Sequence, residues 1–454
     1  MIVKQKTLRY YYWVAVEFAK KHLKLIVVSF FLSIVAIVSF ISFSPYIINF
    51  ATAKNEIIGV VGTGQINNLP DFILSKISNG LIFINEKGQI ISVLVEKWDQ
   101  SKDGKTYHFY LKKNIYWNDG SLFTAKGINY DFKDVEMKII NDYEIEFQLK
   151  KPLPIFPTYL TKPLIKYPFV GVAGLYKVDS FKSQYGNLKE IYLSPNKSNF
   201  PYLVYKFYEN ETKTINAYKL GEVTQIEVTR QSVLDYFASW KNTVIDKNVD
   251  YTRLMTLFFN MNSDYLKQKD IRKAIISAIS KKQFKDEGVE SIGPIPPISW
   301  AYNLNLKKTG FDPEMSDKIL NKSMESSKSA TLQIATYYDY LYIAEAIKSD
   351  LEKVGLNIKI NTLSYNQPSS FDMLLAYWKV PLDPDQYYFW HSTQKQGNIA
   401  NYNNIKIDKL LEDGRSVTSV EERKKIYFDF QRTILDDAPA YFIFYPYIYT
   451  IRRK

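Results

Sequence analysis

Polar and apolar positions alternate or recur with a helical period along most of the chain, and those patterns predict its elements. Ile57 to Val61 is a short β-branched run stopped by Gly62, which predicts a buried strand feeding the loop Thr63 to Pro70. Residues 89 to 149 read as strands: Thr106 to Leu111 follows the turn Asp103-Gly104, and a second Asp-Gly turn falls at Asp119-Gly120. Ile145, Phe147 and Leu149 alternate with Glu144, Glu146 and Gln148, the pattern of a sheet with one buried and one wet face.

Helical spacing takes over further on. Ile271, Ala274, Ile275, Ala278 and Ile279 fall on one face of a helix, and Leu341, Ala344, Ile347, Leu351 and Val354 repeat the spacing. Gly355 supplies a stop, after which Leu356, Ile358 and Ile360 alternate as a strand. Ser419 and Glu422 fit a capping box that opens a helix through Ile426, Tyr427, Phe430 and Ile434, ended by Pro439, and an aromatic strand from Tyr441 to Ile451 follows. Strand-rich and helix-rich regions are segregated, which predicts a mixed α/β body.

The N-terminal pattern is different in kind. Leu25 to Phe43 carries no charge in nineteen residues, and the uncharged stretch runs on to Ala53. About twenty apolar residues suffice to cross a bilayer, so a transmembrane anchor is expected over residues 25–48. Lys4, Lys6, Arg9, Lys20, Lys21 and Lys24 precede it and no basic residue follows until Lys54, which places residues 1–24 in the cytoplasm and the body outside. A cleaved signal peptide ending near Ala51-Thr52-Ala53 is the alternative, disfavoured because the apolar run exceeds a signal core.

Composition narrows the function classes. The 454 residues, 46% hydrophobic and 23% charged, suit a folded body of more than one structural unit. Of the net charge of +12, the first 24 residues hold +5, and the remaining basic residues are interspersed with acidic ones in no basic stripe, which argues against nucleic acid as a partner. There is no cysteine, so disulfides, thiolate metal sites and a lipid-modified cysteine are excluded.

Catalytic motifs are missing as well. His22, His108 and His391 lie far apart, and neither a metal-binding spacing nor a GxSxG, HExxH, Walker or GxGxxG motif occurs. No enzyme, cofactor or metal site is expected. Asp383 and Asp385 flank Pro384 and offer a carboxylate pair for acid/base work, against which stands ordinary turn chemistry. Tyrosine is abundant at 36 residues, as in recognition surfaces, although a general bias toward Tyr, Lys, Asn and Ile accounts for it equally well.

Several segments, taken in order, resemble one family. They are Glu96-Lys97-Trp98, Asp103-Gly104-Lys105-Thr106-Tyr107-His108-Phe109 and Trp117-Asn118-Asp119-Gly120-Ser121-Leu122-Phe123-Thr124-Ala125, then Phe259-Asn260-Met261-Asn262 with Asp270-Ile271-Arg272-Lys273-Ala274 and Ala278-Ile279. Asp383-Pro384-Asp385, Asn401-Tyr402, Asp408 and Asp437-Ala438-Pro439 complete the series. Together they resemble the bacterial extracellular solute-binding proteins that serve oligopeptide, dipeptide and nickel ABC transporters.

The resemblance implies a bilobed periplasmic-binding-protein-like body of the class II, cluster C type. Lobe one is expected over 55–256 plus 440–454 and lobe two over 257–439, with the hinge near Thr256 to Asn260 and Pro439 to Phe444. It implies a peptide or other small-molecule ligand in the cleft and ABC permease subunits as partners; a surface receptor or adhesion module reusing the scaffold is the alternative. Trp378, Asp383, Asn401, Tyr402 and Trp300 are the candidate ligand-binding residues. For Trp378 a plain core position is the alternative, and for Asp383 and Asn401 a loop-pinning role.

Three departures from the family pattern stand out. Barely twenty residues separate Ala125 from the Ile145 strand, the Gly-rich loop is reduced to Gly171-Val172-Ala173-Gly174, and Val380 occupies the place where peptide-binding members carry an Asp that holds the ligand's α-amino group.

Overall fold

The computed structural model describes residues 8–25, 27–35, 37–38, 55–62, 64–324, 331–364 and 370–454. It divides into two units, Met1–Glu56 with Asn199–Tyr202, and Ile57–Ser198 with Leu203–Lys454. In the first unit the helix Leu8–Lys21 ends on Lys20 and Lys21, cations that suit the negative end of its dipole. Residues 27–35 are helical, and Phe30, Phe31, Leu32 and Val35 are exposed there. Among the described residues no helix is long and apolar enough to cross a membrane. The anchor expected over 25–48 lies partly outside the described residues, which omit 26, 36 and 39–48.

The second unit holds two sheet halves that share one strand. In the first half, Tyr176–Gln184 and Asn187–Pro195 form an antiparallel pair, and Ile58 and Gly59 run parallel to Gln225 and Ile226. Gln225–Val228 in turn lies antiparallel to Tyr449–Arg452. In the second half, Arg253–Phe259 pairs along all seven residues with Met373–Lys379, from Arg253↔Lys379 to Phe259↔Met373. Thr331–Tyr337 runs parallel to Asn357–Leu363, and the helix Leu341–Lys353 makes the crossover between them. Gly355, at φ +83°, ends that helix as its sequence position predicts.

The shared strand is the last one, Ala440–Arg453. Its first part, Ala440 to Phe444, pairs with residues 255–258, and its later part, Tyr447 to Arg453, pairs with Thr243–Val249. The changeover falls at Pro446, which has no N–H to give to a ladder. Its carbonyl accepts the Asp250 N–H at 2.8 Å, and Asp250 folds the facing turn by accepting the Thr252 N–H at 2.9 Å and pairing with Arg253 at 2.6 Å. The sequence-based division at 256/257 and 439/440 passes through paired residues. Pairing of the last strand with 243–258 has a gap at 250–252, opposite Tyr445 and Pro446, which pair on their other side with Val289 and Gly288.

A separate four-stranded antiparallel sheet takes the order Val95–Gln100, Thr106–Leu111, Glu144–Leu149, Val135–Asn141. Ile145, Phe147 and Leu149 are buried with Tyr107, Phe109 and Phe156, so the alternation marks the core face. A strand at Val135–Asn141 fills the short segment after Ala125. Among the cores that follow from this plan, one lies around Trp117, Phe147 and Leu160, another around Phe258, Trp390 and Tyr427, and a larger one around Ile275, Ile334 and Ile347.

Helices pack on both halves, Glu211–Leu220 and Gln231–Ala238 on the first and Lys269–Ala278 and Leu341–Lys353 on the second. Lys269–Ala278 buries Ile271, Ala274, Ile275 and Ala278. Its Arg272, 4% exposed, donates to the carbonyls of Ala438, Asp437, Leu266 and Lys267. One guanidinium thereby caps the carbonyl end of the C-terminal helix, which explains why an arginine sits on an apolar face. That helix, Val420–Asp437, begins where Ser419 accepts the Glu422 N–H at 3.4 Å.

Candidate functional site

The loop Asp383-Pro384-Asp385 joins the strand Met373–Lys379 to the short helix Tyr387–Trp390. Asp383 accepts the Asp385 N–H at 3.0 Å and Asp385 accepts the Tyr387 N–H at 3.1 Å, which is the turn chemistry expected of Asp beside Pro. Each carboxylate is also claimed by an arginine.

Arg423, its side chain 4% exposed, donates from Nη1 to Asp383 Oδ2 at 3.0 Å and from Nη2 to Asp383 Oδ1 at 2.6 Å. Its Nε donates to the Gly414 carbonyl at 3.0 Å, and the guanidinium lies 5.3 Å from the Trp300 ring. Burial works against the charge, but the Asp383 bonds outweigh it, so the guanidinium is held above its ordinary pKa. Arg415 repeats the arrangement. Its Nε donates to Asp385 Oδ1 and Oδ2 at 3.1 and 2.9 Å, and it stacks 3.8 Å over Tyr387.

A residue flanked by two members of the other core completes this second pair. Tyr159, on the 3-10 turn Phe156–Thr161, donates its hydroxyl to Asp385 Oδ2 at 2.9 Å and accepts from Arg415 Nη2 at 3.2 Å. Burial first, then the Asp385 charge, hold the phenol well above its ordinary pKa, so it remains a donor. Lys379 also reaches Asp71 across the same divide.

The structure sorts the sequence-predicted residues. Trp300 borders the Asp383–Arg423 pair, stands edge-on to Tyr427 at 6.2 Å, and packs its indole against Gly88, between the paired strands Ile82–Ile84 and Ile90–Ser92. Trp378 is 5% exposed, with Phe389 edge-on at 4.6 Å and Trp390 at 6.1 Å, as a core residue would be. The indole N–H groups of both tryptophans are buried and find no acceptor among the described residues. Val380 is buried, and its N–H donates to the Thr252 carbonyl at 2.8 Å, beside the strand changeover.

Asn401 and Tyr402 belong to a different network. Asn401, at φ +52°, donates from its amide to Asn260 at 3.0 Å, and the Tyr402 hydroxyl donates to Asp437 Oδ2 at 2.6 Å. Asn404 donates to the same Asp437 oxygen at 2.7 Å. These bonds tie the 398–404 loop to the end of the C-terminal helix. Among the described residues no group of three or more His, Asp or Glu side chains is placed to hold a metal ion.

Sequence reasoning missed Tyr159, Arg415 and Arg423. For Arg423 a signal existed: it lies on the helix face that carries Tyr427, Phe430 and Ile434, and a charge on an apolar face demands a partner. Tyr159 gave none.

The profile of the bacterial extracellular solute-binding proteins, family 5 Middle, matches residues 89–135 and 126–400, and the chain belongs to that family. The oligopeptide-binding protein AppA of Bacillus subtilis is 24% identical over 447 residues, covering 80% of this chain and 79% of its own length. NikZ from Campylobacter jejuni, solved in complex with Ni(L-His), superposes with a TM-score of 0.72 at 22% identity, covering 88% of this chain and 94% of NikZ. AppA of B. subtilis, solved with a nonapeptide, superposes at 0.69 with 19% identity, covering 88% and 94%. These likenesses define a bilobed α/β fold of the periplasmic-binding-protein type.

Proposed function

We propose that this chain is a membrane-anchored extracytoplasmic binding protein that captures a peptide-like or other small solute and hands it to an ABC permease. The observation that carries the reading is the polar seam at Tyr159, Asp385 and Arg415. Two separate cores meet there through hydroxyl and charge rather than packed apolar surface. Among the described residues the two sheet halves are joined through the crossings at 250–252 and 445–446, an arrangement suited to hinge closure around a ligand. Capture needs no covalent step, only a higher affinity of the closed form for the solute.

The surroundings of the Asp-Pro-Asp loop narrow the solute. Asp383 and Asp385 are already neutralised by arginines, and Val380 is apolar and buried, so neither carboxylate of this loop is free for an ammonium. The Ni(L-His) and nonapeptide bound by similar proteins mark how much the scaffold admits. On this reading the solute presents acceptors and apolar surface to the Trp378 and Trp300 region rather than a free amine.

The lobe division is drawn at the strand changeover, with 25–48 as the anchor, 1–24 in the cytoplasm and the body outside; charge-free length and the six preceding basic residues support the anchor. Calorimetry of the purified chain against peptides, amino acids, sugars and metal–amino acid complexes tests the function, and heat with one class is expected. Silence across the whole panel overturns it. Alkaline carbonate extraction tests the anchor, and release of the intact chain from membranes would refute it.

A further inference from the structure

Of the contacts between the two lobes, the one at Tyr159 is built differently from the rest. The Asp71–Lys379 pair has both side chains about three-quarters exposed, where water and salt leave an ion pair little net worth. Trp300 against Gly88 is apolar contact with a backbone. Tyr159 places a single neutral hydroxyl between two charges that are already paired with each other, within 2.9 Å of Asp385 and 3.2 Å of Arg415.

Both partners are fixed inside the second lobe without it. Asp385 accepts the Tyr387 N–H and two bonds from Arg415, while Arg415 is also stacked on Tyr387. On the first lobe, Phe156 and Leu160, either side of Tyr159 on the same 3-10 turn, are buried in the core. When this contact parts, therefore, Asp385 and Arg415 keep each other as counter-ions and the Tyr159 hydroxyl exchanges its partners for water. A contact of that kind is reversible by design of its chemistry. The Asp383–Arg423 pair, wholly within the second lobe, could not act so.

We infer that Tyr159 is a latch for the closed form: its hydroxyl, docked on the Asp385–Arg415 pair, holds part of the population closed before any solute arrives. The inference rests on the reading of the chain as a binding protein that closes on its ligand. Tyr159 then sets the closed fraction, and through it the apparent affinity for every solute by the same factor, without touching any of them.

The absence of cysteine makes the test direct. Lys102→Cys and Lys359→Cys, both at exposed positions and one on each lobe, take a fluorophore pair in the full chain, and single-molecule energy transfer reports the inter-lobe distance with no solute added. The parent should show a closed and an open population. Tyr159→Phe should lower the closed-to-open ratio on the order of ten-fold, the worth of a hydrogen bond to a charged group. Arg415→Lys, which keeps the charge and loses the fork, should shift it the same way, and Tyr167→Phe at an exposed site should not shift it. A parent found only open, or a Tyr159→Phe distribution identical to the parent's, overturns the latch. Failure of the solute panel would leave this measurement untouched, so the two readings fail separately.

Discussion

Arg423 grips Asp383 through two nitrogens, at 3.0 and 2.6 Å, with 4% of the arginine side chain and 15% of the aspartate exposed. The pair decides what Asp383 is available for. Removing one partner leaves a buried guanidinium uncompensated, which costs about 3 to 5 kcal/mol. Asp383→Asn should lower the stability of the second lobe by roughly that amount in urea melts. The double change Asp383→Leu with Arg423→Met should recover most of the loss, because it removes both charges together.

Val380 is 6% exposed and surrounded by the second-lobe core. Val380→Asp buries a carboxyl without a partner, and burial raises its pKa above the unfolded value. The sign follows: the charge penalty is absent at low pH, where the group is protonated in both states, and grows as pH rises through the unfolded pKa. Thermal melts should show the variant below the parent at pH 3.5 by the cost of burying a neutral carboxyl, and lower by a further amount of about 2 to 4 kcal/mol at pH 7.

Gly88 and Gly120 separate a steric effect from a backbone one. Both adopt positive φ, +75° and +82°, so alanine strains either backbone. A Cβ at Gly88 would stand 2.5 Å from Trp300 Nε1, whereas at Gly120 it would meet nothing within 4 Å. Gly88→Ala should therefore shift tryptophan fluorescence and weaken lobe closure, and Gly120→Ala should cost only the common strain of about 1 kcal/mol.

Lys281, its side chain 16% exposed, donates to the Ser291 carbonyl with its ammonium 4.7 Å from the Tyr441 ring. Burial lowers its pKa to about 8, with Glu290 opposing. Between pH 8 and about 10.4 the unfolded chain holds this proton and the folded chain has released it, so stability gained from this site rises with pH. Relative to Lys281→Met, the parent should gain stability across that window in parallel melts. A constant difference between the two would show that Lys281 titrates as an ordinary lysine.

Periodicity carried the local structure because its cause is local. The alternation at 144–149, the helical faces at 271–279 and 341–354, the Ser419 cap and the Gly355 stop all depend on neighbours within a turn or a pleat, and the structure places an element at each. Order and spacing of the larger segments carried the family as well.

The candidate site was legible only in part, for a physical reason. Asp383 and Asp385 could be singled out by type, but whether a carboxylate is free depends on what lies within about 3 Å of it, and Arg423 and Arg415 come from 40 and 30 residues away. Trp378 sits at the end of an apolar strand, and only the packing of Phe389 and Trp390 around it says how deep it lies. Tyr159 is one of 36 tyrosines, in a stretch with no periodic signal, and its partner is 226 residues distant. The amino-acid order by itself determined the elements, the family and the charge-free N-terminal stretch. Which distant residues touch, and which charges are already satisfied when they do, was decided by tertiary structure alone, since contact between segments hundreds of residues apart leaves no trace in local pattern.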